Sequence, residues 1–254
     1  MKVEFMKRIY LLLYIIVIPF HLAAKPFTLV IDAGHGGKDP GAVGAISNEK
    51  DINLKVALAL GKLVQENIQD VKVVYTRKSD VFVELDQRAN IANQNKADLF
   101  ISIHTNASGT NKTVKGTETY TLGMHRAASN LEVAKRENAA IMLEKNYEEK
   151  YEGFNPKSSE SYIIFELMQD EYMKQSVNLA DKIQKQFALT AKRNNRGVFQ
   201  AGFLVLRATS MPSCLVEVGY ISTPEEEKYL NSQEGINNIS KSIFNAVKQY
   251  KEGK

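Results

Sequence analysis

Two histidines stand where β-type runs of the sequence stop. His35 follows Leu29-Val30-Ile31 within Asp32-Ala33-Gly34-His35-Gly36-Gly37, and His104 closes Leu99-Phe100-Ile101-Ser102-Ile103. A third run, Cys214-Leu215-Val216-Glu217-Val218, carries an acid among apolar neighbours. In an open α/β sheet the carboxyl ends of parallel strands form one rim, and ligands collect beyond it. Both imidazoles are therefore expected at that rim, with Glu49 beside them at the start of the first helix. Two imidazoles and one carboxylate give zinc three protein ligands and leave a fourth position for water. A metal so held lowers the pKa of water towards ~7 and polarises a carbonyl. Glu217, between Val216 and Val218, must face a polar site or bear a desolvation cost. A raised pKa there suits proton transfer.

Taken singly, each residue has a plainer reading. His35 in its glycine-rich loop could bind phosphate or satisfy backbone groups. His104 could be a hydrogen-bonded strand end, and Glu49 a favourable charge at a helix N-terminus. His125 competes for a ligand role, although no strand fixes it. Asp32 could orient His35 as an outer acceptor, or equally bond to loop amides. Asp39 and Arg207 receive only solvated or structural roles.

The elements that must position these residues alternate. Strands are expected at Phe27–Ile31, Val71–Thr76, Leu99–His104, Phe203–Leu206 and Ser213–Val218, with Gly116–Thr121 as an edge strand. Helical spacing of Ile52, Val56, Leu60 and Val64 marks a helix from Glu49, with Asn48 and Asp51 as a capping pair. Further helices are expected at Leu85–Asn95 and about Glu171–Thr190. Thr223-Pro224-Glu225-Glu226 opens another as cap, first position and N3. A closing helix carries Ile236, Ile239, Ile243 and Val247. Alternation with apolar strands predicts a single α/β domain around a mostly parallel central sheet flanked by helices. At about 124–170 charged residues dominate without a clean period, which reads as an inserted helix followed by an exposed loop.

The 254 residues, 44% hydrophobic and 24% charged, suit one packed domain. Lys7 and Arg8, the apolar run Ile9–Phe20 and the small residues Ala23-Ala24 read as a signal peptide over 1–24, so the protein is expected in the periplasm or cell-wall space. Its removal takes Lys2, Lys7, Arg8 and Glu4, and the net charge of +4 falls to +2. That excludes a nucleic-acid argument, and no stable membrane span is expected after cleavage. The single cysteine, Cys214, forms no internal disulfide and reads as a small buried hydrophobe.

Four motifs in order then carry a resemblance. They are Asp32-Ala33-Gly34-His35-Gly36-Gly37, Asn48-Glu49-Lys50-Asp51, Ser102-Ile103-His104-Thr105-Asn106-Ala107 and Leu215-Val216-Glu217-Val218-Gly219-Tyr220. Together they resemble the zinc-dependent N-acetylmuramoyl-L-alanine amidases of the Amidase_3 type. The resemblance implies His35, Glu49 and His104 as Zn2+ ligands and Glu217 as the catalytic glutamate. It implies hydrolysis of the amide between N-acetylmuramic acid and L-alanine in peptidoglycan; a monomer is expected. Some members carry an inserted helix whose glutamate plugs the metal site until a protein activator displaces it. Glu132, Glu137, Glu144, Glu148, Glu149 and Glu152 are the candidates here. Alternatives are a zinc peptidase acting on stem peptides and a non-catalytic wall-binding domain of the same fold.

Overall fold

The computed structural model describes residues 25–253 apart from 110 and 168–170. The expected signal segment, 1–24, lies outside the described residues. Six strands form one sheet: β1 Phe27–Ala33, β2 Val71–Tyr75, β3 Leu99–Asn106, β4 Thr117–Leu122, β5 Asn195–Ala201 and β6 Ser213–Tyr220. Their order is β2-β1-β3-β6-β4-β5. β1 pairs in parallel with β2 and β3, and β3 with β6; β4 runs antiparallel to β6 and parallel to β5. The main helices are α1 Glu49–Asn67, α2 Leu85–Gln94, α3 Ala128–Asn138, α4 Met173–Leu189, α5 Pro224–Asn231 and α6 Gln233–Glu252.

The apolar runs at β1, β3 and β6 follow from burial on both faces. Leu29, Ile31, Ile101 and Val216 pack into one core with Ile52, Val56 and Leu60 of α1, Leu179 and Ile183 of α4, and Ile239 and Ile243 of α6. Alternate positions Val30, Phe100 and Leu215 enter a second core on the opposite face. That second core is supplied largely by the insertion. Leu131, Ala134 and Ile141 join Tyr151, Phe154, Tyr162 and Phe165, and the last three rings meet edge-on or tilted at 5.1–6.0 Å. Burial of each such side chain stabilises by about 1.5–3 kcal/mol. The segment expected to be an inserted helix and an exposed loop thus helps to cover one face of the sheet.

Three further expectations are corrected. Leu204–Arg207 is a helical turn, and the strand lies upstream at Asn195–Ala201. β4, expected at an edge, sits between β6 and β5 with every residue buried. Neither Asn48 nor Thr223 caps with its side chain; the Thr223 hydroxyl donates to the Val114 carbonyl instead. Among the described residues no helix is long and apolar enough to cross a membrane.

Candidate active site

Parallel register explains why the site exists. β1 and β3 run side by side until Ala33, the last residue of β1, pairs with Ile103, and His104, next on β3, is the register partner of Glu217 on β6. Beyond β1 the chain turns sharply, and His35 itself adopts φ 60°. Two buried arginines hold this turn by its carbonyls. Arg77 donates to Ala33 and Gly34 at 2.8 and 2.9 Å, and Arg88 to Ala33 and His35 at 2.8 and 2.9 Å. Gly34 is required by proximity: a Cβ there would fall 2.3 Å from His104 Nε2. Gly36 and Asp39 close a tight turn through reciprocal backbone bonds, which brings the Asp39 carboxylate to His35 Nδ1 at 2.8 Å.

The expected residues converge. Glu49, fully buried at the start of α1, places Oε1 at 3.3 Å from His35 Nε2 and 3.2 Å from His104 Nδ1. The Thr105 and Ala42 amides donate to its two oxygens at 2.8 Å, so the carboxylate is fixed from both sides. The two imidazole rings lie 4.8 Å apart at 74°. A fourth group arrives from the insertion: Glu137, at the end of α3, sits 2.9 Å from His35 Nε2 and 2.8 Å from His104 Nδ1. Side-chain donors of His35, Glu49, His104 and Glu137 all lie within 4.8 Å of one another. His125 lies outside this cluster.

Glu217 completes the geometry. It is fully buried, and neither carboxylate oxygen has a hydrogen-bond partner among the described residues. Arg136 Nη2 stands 3.6 Å from its Oε1 and bonds to Glu137. Burial first, then repulsion by Glu137 and Glu49, lifts the Glu217 carboxyl well above the usual carboxylate range, against the opposing pull of Arg136. For His104, burial favours the neutral ring, but Glu137 and Glu49 outweigh it and raise the imidazole to about 9. His35 is likewise raised, with burial opposed by Glu49, Asp39 and Glu137. A buried cluster this rich in carboxylate demands positive charge. Two imidazole nitrogens and carboxylate oxygens in one small volume fit a zinc ion by donor type. The other acidic group, Glu84, Asp86 and Glu144, is occupied by the Lys150 ammonium at 2.6–2.8 Å.

One outer contact differs from expectation. Asp32 does not meet His35; its carboxylate accepts from Thr76, Ser102 and Arg88 at 2.6, 2.6 and 2.7 Å. Asp39 takes the imidazole instead, and its i+4 spacing across two glycines was the available signal. Arg136 had no signal, and Glu137 was one acid among several.

Comparison with known proteins agrees with this geometry. Residues 29–249 match the family described as N-acetylmuramoyl-L-alanine amidase, Amidase_3. The chain is 32% identical over 232 residues to N-acetylmuramoyl-L-alanine amidase AmiC of Escherichia coli O6:H1, covering 89% of this chain but about half, 53%, of that protein. It is 34% identical to a putative N-acetylmuramoyl-L-alanine amidase of Buchnera aphidicola subsp. Baizongia pistaciae, over 87% of this chain and 95% of the relative. Among solved structures, the catalytic domain of CwlV, an N-acetylmuramoyl-L-alanine amidase from Bacillus (Paenibacillus) polymyxa, superposes with TM-score 0.65 at 32% identity, covering 90% of this chain and 99% of that one. An N-acetylmuramoyl-L-alanine amidase from Clostridium difficile 630 gives TM-score 0.68 at 27% identity, covering 91% and 100%. On its sequence, fold and clustered residues together, the chain belongs to the N-acetylmuramoyl-L-alanine amidase family.

Proposed function

We propose that this protein hydrolyses the amide between N-acetylmuramic acid and L-alanine in peptidoglycan, with His35, Glu49 and His104 holding Zn2+. The observation that carries the reading is Glu217: a buried carboxylate without a hydrogen-bond partner, register-paired with His104 beside a cluster of metal-type donors. Zinc bound there would supply Lewis acidity, acidifying water and polarising the scissile carbonyl. Glu217 accepts the proton of the attacking water and returns it to the departing nitrogen, a task suited to a carboxyl poised above its ordinary range. Asp39 holds His35 by Nδ1, which leaves Nε2 for the metal and fixes the ring's direction. Thr105 and Ala42 amides do the same for Glu49.

The arrangement supports a closed, self-inhibited state. Glu137 lies between the two imidazoles where substrate and water must enter, and Arg136 beside it faces Glu217. A protein activator that draws α3 away would open the site. The basic and apolar start of the sequence supports export to the periplasm or wall space.

Digestion of purified peptidoglycan with and without a chelator tests the reading by product mass. Free stem peptide beginning with L-alanine, lost on chelation and restored by zinc, is the expected result. Cleaved cross-links would instead make the protein a peptidase, and no product with bound zinc would make it a wall binder. Glu217→Gln is expected to keep zinc and lose at least a hundredfold in turnover.

A further inference from the structure

Beside the histidine and glutamate cluster a cavity of about 530 Å3 opens between the sheet and α3. Asn106, Glu118 and Tyr220 line it from the sheet, Arg196 and Phe199 from β5, and α3 covers it. Strand register gives it a direction. His104 is the partner of Glu217, and Glu217 is in turn the partner of Glu118 on β4. Cross-strand partners project to one face, so these side chains form a polar row across β3, β6 and β4. On β5 the row meets Gly197, and a register irregularity there brings Arg196 alongside.

Glu118 is only 5% exposed and its acceptors are filled. Oε1 accepts from Arg196 Nε and Tyr220 at 2.7 Å each; Oε2 accepts from Asn106 and Tyr120 at 2.9 and 2.8 Å. Its role is to hold the guanidinium, which also lies over the Tyr220 ring at 5.4 Å from the centroid. Arg196 is thus fixed through Nε and from one face, while its side chain keeps 36% exposure on the cavity wall. A guanidinium anchored this way offers its remaining donors as a fork matched to a carboxylate. The acid in the cavity's roof, Glu132, belongs to α3 and pairs with Lys135.

We propose that this cavity is the stem-peptide subsite and that Arg196 reads a carboxylate on the peptide side of the scissile amide. The inference rests on the amidase reading above. The sugar side of that bond offers hydroxyl and acetamide groups, whereas the peptide side offers free carboxylates. From Glu217 to Arg196 is two strand spacings, about 10 Å, which an extended peptide covers in about three residues. The carboxylate therefore belongs to the second or third residue of the stem.

The test uses N-acetylmuramoyl tripeptides whose second- and third-residue carboxylates are free or amidated one at a time. Binding to the zinc-loaded full chain carrying Glu137→Ala and Glu217→Gln is read by calorimetry, so that no probe is turned over. A free carboxylate at one of the two positions should bind roughly tenfold or more tightly than its amide. Arg196→Gln should erase that preference, and Arg196→Lys should keep part of it. Equal binding of acids and amides, a preference that survives Arg196→Gln, or no binding of any probe would overturn the proposal. Hydrolysis of the same probes by the Glu137→Ala enzyme is scored separately, so a failed amidase reading shows itself independently of the binding preference.

Discussion

Replacing Glu137 with alanine removes the carboxylate that bridges His35 Nε2 and His104 Nδ1 at 2.9 and 2.8 Å. When zinc takes those two nitrogens, the Glu137 carboxylate would face positive charge in place of the two N–H groups, and contacts to charged groups contribute about 1.5–3 kcal/mol each. The low end for the two contacts together is about 3 kcal/mol, and 1.4 kcal/mol is a factor of ten. The seated arrangement should then outnumber the open one by roughly a hundred to one. Glu137→Ala is expected to raise the rate of stem-peptide release from purified peptidoglycan by about two orders of magnitude, at matched zinc content. Lys135→Ala, on the same helix but bonded to Glu132 and Ser159 outside the cluster, is the control and should leave the rate within about twofold. Equal rates for Glu137→Ala and the parent, with equal bound zinc, would refute the idea that α3 holds the site shut.

Other substitutions probe the supports. Gly34→Ala would drive a methyl to within 2.3 Å of the His104 ring, so zinc affinity should fall at least tenfold in a metal titration while the circular dichroism spectrum is kept. Asp39→Asn keeps a hydrogen-bonding group at His35 Nδ1 but removes its charge, and should weaken zinc binding by about 10–100-fold in the same titration. Burial alone would raise the Asp32 carboxyl, but Arg88, Ser102 and Thr76 hold it below its ordinary value. Its contribution is therefore fully present above the unfolded value of about 3.9 and lost as pH falls towards the folded one. Asp32→Asn should cost about 3–5 kcal/mol at pH 7 in urea unfolding. That gap should narrow as pH falls from 5 to 3, and a gap of constant size would show that the Arg88 pair does not set it.

The central strands and three of the four expected site residues stand out for one reason. Central parallel strands buried on both faces are largely apolar, so His104 and Glu217 stand out against β3 and β6, and His35 against the end of β1. β5 did not stand out, because Asn195-Arg196-Gly197-Val198 is a half-exposed edge without alternation. Phe203–Leu206 looked like a strand because four residues cannot reveal a period. Asp32 was the nearer acid to His35 in sequence, but strand alternation turns it to the opposite face from Ile31 and Ala33, towards Arg88. The insertion hid its burial most completely. Tyr151, Phe154, Tyr162 and Phe165 are spaced by short turns that obey neither helical nor strand periodicity, yet all four rings are buried.

Those rings also decide how the segment can be studied. Excising 124–170 would strip Val30, Phe100 and Leu215 of their cover and remove Glu144, whose carboxylate accepts from the first amide of α2 at 2.8 Å. A truncated protein of that kind should precipitate or unfold, whatever the segment does to catalysis, and its inactivity would carry no message about control. Any chain that dispenses with the segment must clothe that side of the sheet by other means.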